Sequence, residues 1–145
     1  LYSVSGRDLV QTTIAHCREG RPMRVVTDQL GSPTWAASLA QVLWALVDRP
    51  DVAGLRHWCD GGAASWYDVA VAVAELGPAL GLFPRAVAIE PIRSEERASL
   101  ARRPACSVLD ALDLYRELDR RPIHWRTHLR AMLRELKETE SCSCS

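Results

Sequence analysis

The sequence predicts an α/β fold that is rich in helices and has a few parallel strands. Short β-branched segments alternate with amphipathic helical patterns along the 145 residues, as is typical of α/β proteins. Hydrophobic residues make up 48% of the chain, which is enough for one domain with a real core. Because the predicted strands are too few for a free-standing doubly wound sheet, we expect them to form one edge of a larger sheet beside a small extra lobe.

The first third of the chain predicts a helix, a strand and a second helix. Residues 7–18 carry apolar side chains at helical spacing, and the β-branched segment 23–27 is typical of a strand. A strongly apolar helix is expected over residues 35–47, with Thr34 or Ser32 as its amino-terminal cap. The loop before this helix therefore begins at the carboxyl end of a strand, where α/β proteins commonly bind ligands.

The middle of the chain predicts a strand over residues 55–59, followed by a helix over residues 65–76. Ser65 is the expected cap of this helix, and the Gly-Pro dipeptide at residues 77–78 is expected to interrupt it. Since His57 falls inside the apolar strand, we interpret it as a core histidine with satisfied hydrogen bonds.

The last third predicts five further elements. A strand is expected over residues 86–89, a short polar turn or helix over 93–98, and extended chain over 106–109. Helices are expected over residues 110–118 and 125–136, where apolar side chains again recur at helical spacing.

Charge, hydropathy and cysteine content argue against several classes of function. The 18 basic and 18 acidic residues balance, so we expect neither a nucleic-acid nor a membrane partner. No apolar run has the length of a membrane span, and we expect a cytoplasmic protein. The five cysteines are odd in number and mostly far apart, which argues against a disulfide framework. His124 and His128 have a spacing that can bind metal, but no third ligand accompanies them and exposure is expected.

Three short stretches carry the strongest functional signal. Residues 28–34 read Asp-Gln-Leu-Gly-Ser-Pro-Thr, and residues 64–67 read Ala-Ser-Trp-Tyr. Residues 101–104 read Ala-Arg-Arg-Pro, and Ser-Val-Leu-Asp follows at 107–110. In this order and spacing they resemble the second half of the dTDP-4-dehydrorhamnose reductases, a family of the extended short-chain dehydrogenase/reductase superfamily.

The resemblance covers the chain from Leu1 to about Leu136. The opening Leu-Tyr-Ser is similar to the family stretch that follows the catalytic helix, although Asp8 and Leu9 replace the usual Asn and Phe. It implies the carboxy-terminal portion of an NAD(P)-binding Rossmann-type enzyme. Residues 1–137 would form the substrate-binding part with the last elements of the Rossmann sheet, and residues 138–145 a disordered tail.

The family resemblance also implies a function for the intact parent protein. Its reaction would be the NADPH-dependent reduction of dTDP-4-dehydro-L-rhamnose to dTDP-L-rhamnose, in dTDP-rhamnose biosynthesis. The implied ligand is a dTDP-sugar and the implied cofactor is NADPH. The identity of the 4-keto sugar, a role for Mg²⁺ and a homodimer are all left open by the sequence.

The residues that the resemblance implies in binding lie in the three motifs, apart from Tyr2, which we expect to touch the cofactor. Arg102 and Arg103 are the candidates for the diphosphate, because guanidinium groups offer bidentate donors to anions. Surface ion pairs with nearby carboxylates are the alternative reading for both. Trp58 or Trp66 could stack on a thymine base or a sugar face, although packing is the favoured interpretation. The expected substrate-binding residues are Asp28, Gln29, Ser32, Pro33, Thr34, Arg102, Arg103 and Ser107.

The chemistry of a reductase is missing from this sequence. The superfamily binds its cofactor on a Gly-rich turn, and no such turn occurs among these residues. It also needs a Tyr followed four places later by Lys, which lowers the pKa of the phenol that protonates the substrate carbonyl. The chain has a single lysine, Lys137, and Leu133 stands at the tyrosine position. We therefore expect no catalytic residue here and no reductase activity from these 145 residues alone.

Two other functions are compatible with the sequence. One is a non-catalytic nucleotide-sugar-binding or regulatory relative of the family, of the type of the methionine adenosyltransferase regulatory subunit. The other is a different sugar enzyme of the extended superfamily, such as an epimerase. The sequence of the motif at residues 28–34 argues against this alternative.

Overall fold

The computed structural model describes residues 1–97, 101 and 103–142, and it confirms the α/β class. The elements run in chain order with a short 3-10 helix, Ser94–Glu96, between β4 and β5. They are α1 (Leu9–Glu19), β1 (Met23–Val26), β2 (Leu30–Gly31), α2 (Ala36–Val47), β3 (Ala64–Ser65), α3 (Trp66–Ala79), β4 (Ile89–Ile92), β5 (Cys106–Ser107), α4 (Leu112–Glu117) and α5 (Trp125–Cys142).

The strands of the described residues form two small sheets. β1 and β4 pair in parallel, with Met23 opposite Ile89. In the second sheet β2 lies in the middle, antiparallel to β3 and parallel to β5. Leu30 of β2 faces Ser65 on one side and Cys106 on the other. This second sheet therefore joins three segments that are far apart in the sequence.

The main core lies around α3. Its small side chains Ala70, Ala72 and Val73 are completely buried, and α1 and α5 both pack on this helix. Small residues allow helices and strands to approach closely, and the core is completed by the larger side chains of the neighbouring helices. Among these, Leu129 and Leu133 of α5 are completely buried. The small side chains of α3 thus form the centre of this core.

The predicted strand at residues 55–59 is wrong. This segment has no regular structure, Leu55 is 83% exposed, and His57 is exposed rather than part of the core. A strand is stable only when a partner satisfies its backbone hydrogen-bonding groups. Among the described residues, no strand pairs with this segment. The apolar and aromatic side chains of this segment are therefore not sufficient to form a strand.

Helix α2 forms where it was predicted, but its burial and its cap differ from the prediction. Only Ser38 and Val42 are buried on this helix, although nearly all of its side chains are apolar. Neither Thr34 nor Ser32 caps it. The N-cap residue is Trp35, which has no capping side chain of its own.

The boundaries of three other elements also differ from the predictions. α3 continues through Pro78 to Ala79, so the Gly-Pro dipeptide does not interrupt it. β4 lies over Ile89–Ile92 and includes Pro91, where the prediction ended the strand before this proline. α5 runs to Cys142 and so covers residues 138–142 of the predicted tail. Residues 143–145 lie outside the described residues, and the division at residue 137 stays a prediction.

The exposed face of α2 is expected to make the chain self-associate. Leu43, Trp44 and Val47 are 57%, 74% and 68% exposed, and contiguous apolar surface of this kind favours association. Trp44→Glu should shift the sedimentation distribution of the purified chain toward the monomer. Gln41→Glu is the matched control, because it adds the same charge at an exposed polar position of the same helix and should change nothing. A purely monomeric unmodified chain at every concentration would contradict the prediction.

Within the part of the chain that the structure describes, no helix combines the length and the apolar character needed to cross a lipid bilayer.

Candidate functional site

The three sequence motifs meet at the sheet β3–β2–β5. β2 carries the start of the Gly-Ser-Pro-Thr turn, β3 leads directly into Trp66, and β5 follows the Arg-Arg-Pro segment. Gly31 lies so close to Ser107 that a side-chain Cβ at this glycine would come 3.2 Å from the Ser107 hydroxyl. The strands are only two residues long, yet they fix the relative positions of all three motifs.

Two adjoining cavities lie beside this sheet. The larger is a cleft of about 1120 Å³ that extends along α1 and β1. The smaller is a pocket of about 140 Å³ beneath the Gly-Ser-Pro turn. Trp66, Leu1 and Leu9 line both cavities, so the two are neighbours. Polar and charged residues of the cleft include Arg7, Gln29, Ser94, Arg97 and Arg103, and the pocket includes Gly31, Ser32, Pro33, Ser107 and Leu109.

Arginines give the large cleft its cationic character. Arg7, Arg97 and Arg103 are exposed, and none of their guanidinium groups has an ion-pair or hydrogen-bond partner among the described residues. The predicted alternative for Arg103, an ion pair with a nearby carboxylate, is not seen among these residues. A fourth arginine of the cleft, Arg24, is already paired with Glu90 at 3.3 Å and Glu96 at 2.9 Å. Arg102, the other predicted diphosphate ligand, lies outside the described residues.

Asp28 and Gln29 both bind Ser94. The backbone N–H of Ser94 lies 3.0 Å from Asp28 Oδ2, and its hydroxyl donates to Asp28 Oδ1 at 2.7 Å. The amide of Gln29 donates to the Ser94 hydroxyl at 2.8 Å. The hydrogen bonds from Ser94 hold the pKa of Asp28 below its usual value, and the bond from the backbone N–H has a larger effect than the bond from the hydroxyl. Asp28 thus anchors the short 3-10 helix, whereas Gln29 also lines the cleft.

The Ser-Pro-Thr turn is held by hydrogen bonds of its own side chains. Ser32 Oγ accepts from the Leu109 N–H at 3.2 Å, and Pro33 is buried. The hydroxyl of Thr34 donates to the Ser32 carbonyl at 3.0 Å and accepts the Asp60 N–H at 3.3 Å. Ser32 and Pro33 therefore face the pocket, while Thr34 is buried behind them and lines neither cavity.

Ser107 and Tyr2 complete the predicted site residues. The hydroxyl of Ser107 donates to the Leu30 carbonyl at 3.1 Å and borders the pocket. Tyr2 is buried, and its hydroxyl donates to the Trp125 carbonyl at 3.0 Å. Burial, and secondarily the charge of Asp60, raises the pKa of Tyr2 far above its usual value. Its phenol is thus a fixed structural donor, and contact with a cofactor stays a prediction.

Asp60 is the important residue that the sequence analysis missed. Its side chain is completely buried, and its carboxylate accepts the Trp35 N–H at 2.9 Å and the Ser38 hydroxyl. Oδ2 also lies 2.8 Å from Nδ1 of His128 on α5. Asp60 therefore holds the start of α2 from a distant segment of the chain. Nothing local distinguishes it from an ordinary turn aspartate before Gly-Gly.

The remaining histidine and tryptophan candidates do not form a second site. His124 accepts the Arg126 N–H and His128 faces Asp60, so the two histidines do not converge. Cys106 is exposed, and no group of three or more metal-ligating side chains occurs in the described part of the chain. Trp58 packs against Tyr115 with ring centroids 4.5 Å apart and ring planes tilted by 59°, in agreement with the packing role favoured for this tryptophan.

Comparison with known proteins places the chain in a family. The sequence model of the family described as "RmlD substrate binding domain" matches residues 1–138. The spore coat polysaccharide biosynthesis protein SpsK of Bacillus subtilis is 36% identical over 135 residues, which are 93% of this chain and 44% of SpsK. The dTDP-4-keto-6-deoxy-D-glucose reductase of Streptomyces niveus is 35% identical over 97% of this chain and 47% of its own length. The chain thus spans about half the length of the curated relatives it matches.

Solved structures give the same result. The dTDP-4-dehydrorhamnose reductase of Bacillus anthracis, in complex with NADP, superposes with a TM-score of 0.80 at 26% identity, over 92% of this chain and 45% of that one. The UDP-glucose 4-epimerase of Thermus thermophilus, in complex with NAD, has a TM-score of 0.64 at 16% identity, over 89% of this chain and 40% of that one. The epimerase shows a shared fold alone.

The fold defines the carboxy-terminal part of an extended short-chain dehydrogenase/reductase. Within that class, the chain belongs to the RmlD substrate-binding domain family. The resemblance to dTDP-4-dehydrorhamnose reductases, which rested on three short motifs, is thereby confirmed.

Proposed function

We propose that this chain binds the dTDP-sugar substrate of an NADPH-dependent 4-keto-sugar reductase. The single observation that carries the proposal is the meeting of the three family motifs around one site. There an arginine-lined cleft adjoins a smaller pocket with mainly apolar walls. The product of the whole protein would be a dTDP-6-deoxysugar such as dTDP-L-rhamnose. Its relatives carry names of this kind, among them the dTDP-4-dehydrorhamnose reductase of Escherichia coli.

The cationic side chains support an anionic ligand. Arg7, Arg97 and Arg103 line the same cleft, and none of them forms an ion pair with a carboxylate among the described residues. A diphosphate concentrates negative charge over a few oxygens, and guanidinium groups bind such oxygens by charge-assisted, often bidentate hydrogen bonds. We assign the diphosphate of the dTDP-sugar to this part of the cleft.

We assign hydride transfer to residues outside this chain. The residues present do not fit NADPH, because they contain no Gly-rich turn for its pyrophosphate. The hydroxyls of Tyr2 and Tyr115 are bound to backbone carbonyls, and burial raises the pKa of Tyr115 to about 12. The amine of Lys137 donates to the Gly81 carbonyl at 2.9 Å. A role for Mg²⁺ and a homodimer of the intact parent stay predictions.

The test is direct binding of dTDP to the 145-residue chain by isothermal titration calorimetry. Arg103→Ala should weaken binding by about tenfold or more, because a hydrogen bond to a charged group contributes roughly 1.5–3 kcal/mol. Arg134→Ala is the matched control, since Arg134 is equally exposed but lies on α5 and lines neither cavity. Thymidine, which lacks phosphates, should bind to Arg103→Ala and to the unmodified chain with the same affinity. The proposal fails if dTDP does not bind, or if Arg103→Ala binds it unchanged.

A further inference from the structure

We propose that the indole ring of Trp66 is the platform on which the 6-deoxyhexose ring of the ligand packs. This inference rests on the proposed function, because it requires a dTDP-sugar in the cleft. It adds a sugar-contacting residue and assigns the small pocket to one part of the ligand. Four properties of Trp66 carry it: its fixed backbone, its exposure, its position between the two cavities, and the size of the pocket.

The backbone of Trp66 is held rigidly. Trp66 is the first residue of α3, directly after the buried Ser65 of β3. Ser65 and Asp68 form a capping box, in which the Asp68 N–H donates to Ser65 Oγ at 3.1 Å and the Ser65 N–H donates to Asp68 Oδ2 at 2.8 Å. Pairing of Ser65 with Leu30 ties this helix start to the Gly-Ser-Pro turn. A ring attached here needs little ordering when a ligand binds.

Trp66 is more exposed than a tryptophan that serves only to pack the core would be. It is 40% exposed, whereas Trp125 at the corresponding start of α5 is 5% exposed. Trp44 is more exposed than Trp66, but it lies on α2 and lines neither cavity. Trp66 instead lines both cavities and so stands at their junction. An exposed aromatic ring on a rigid element is well suited to stack on a flat ligand surface.

The size of the small pocket indicates which part of the ligand it can contain. An apolar cavity of about 150 Å³ holds one benzene-sized ring, and this pocket measures about 140 Å³. A nucleoside has two linked rings, so the cleft of about 1120 Å³ is the cavity that can contain it. The diphosphate lies between the nucleoside and the sugar in such ligands. With the diphosphate at the arginines of the cleft, the remaining single ring is the hexose.

The walls of the pocket suit a deoxygenated sugar. Side chains of Val10, Pro33, Val69 and Leu109 give it a mainly apolar surface. The hydroxyls of Ser32 and Ser107 are both engaged with backbone groups of the turn and its neighbouring strands. The C–H face and the methyl group of a 6-deoxyhexose can pack on such walls and on the indole ring. Its hydroxyls then remain at the open side of the pocket.

The experiment compares dTDP-L-rhamnose with dTDP, so that the contribution of the sugar is measured separately. In the unmodified chain dTDP-L-rhamnose should bind more tightly than dTDP. Trp66→Ala should weaken dTDP-L-rhamnose binding about fivefold to tenfold, as expected for loss of an aromatic stacking partner, and leave dTDP binding within about twofold. Trp66→Phe, which keeps an aromatic face, should retain most of the difference. Trp44→Ala is the matched control and should change neither affinity.

The possible outcomes separate this inference from the proposed function. If dTDP does not bind the unmodified chain, the proposed function fails. If Trp66→Ala weakens dTDP and dTDP-L-rhamnose equally, the indole contacts the nucleotide and the inference is overturned. Unchanged binding of both ligands also overturns it. Nuclear Overhauser effects in the unmodified chain give a readout that needs no variant: contacts from the Trp66 indole protons to the sugar methyl group support the platform, and contacts to the thymine methyl group alone refute it.

Discussion

Asp60→Ala is expected to destabilise the domain by about 2 kcal/mol or more, because each buried donor that loses its acceptor costs roughly 1–3 kcal/mol. The carboxylate is completely buried and accepts hydrogen bonds from the Trp35 N–H and the Ser38 hydroxyl, and its Oδ2 lies 2.8 Å from Nδ1 of His128. Alanine would leave the Trp35 N–H and the Ser38 hydroxyl without this acceptor in a buried site, and it would release the start of α2. Urea unfolding followed by circular dichroism gives the change in the free energy of unfolding.

Two further variants make the Asp60 experiment specific. Asp60→Asn keeps a hydrogen-bond acceptor of similar size and should lose less stability than Asp60→Ala. Asp51→Ala removes an exposed carboxylate whose ion pair with Arg49 lies at the surface, and it should cost at most about 1 kcal/mol. A stability of Asp60→Ala within about 1 kcal/mol of the unmodified chain would show that the network contributes little.

Gly77→Ala is expected to destabilise the domain by about 2 kcal/mol or more, although alanine is the better helix former. A Cβ at this position would lie 1.9 Å from Cζ of Phe83, which is buried in the main core. The ring cannot move aside without displacing its neighbours, so overpacking outweighs the gain of up to about 1 kcal/mol in helix propensity. Thermal or urea unfolding measures the loss.

A double-mutant cycle tests the cause of this loss. Phe83→Leu removes the ring atoms that the new methyl group would meet, and in that background Gly77→Ala should cost much less than in the unmodified chain. Equal costs in both backgrounds would locate the effect elsewhere. A stabilising Gly77→Ala would show that the ring can move after all and that helix propensity dominates.

The sequence predicted those elements whose signals are local. α1, β1 and the start of α3 formed where apolar spacing and the Ser65 cap indicated, since these depend on neighbouring residues. The failed predictions depend on distant partners. The segment 55–59 had the composition of a strand but found no pairing strand among the described residues. Gly77 looked like a helix breaker, because only the folded structure shows that Phe83 packs on it.

The candidate site was predictable to a similar degree. Family resemblance pointed to the turn and to β5, and the structure brings Ser32 and Ser107 to one pocket. The resemblance could not distinguish residues that line the pocket from residues that only support its walls. Thr34 is a residue of the second kind, because it is buried behind the turn. Arg7 and Arg97 were missed because a single exposed arginine carries no sequence signal. Their significance arises only from their common position in the cleft.

The place of Leu1 has a practical consequence for any binding measurement. Its side chain is largely exposed and lines both the cleft and the small pocket. A purification tag fused ahead of Leu1 would emerge at the mouth of the cavities and could compete with a ligand or mask its signal. Cys142, at the opposite end of the described chain, lines neither cavity. Tags and immobilisation chemistry therefore belong after α5, where they leave the entrance to the cleft free.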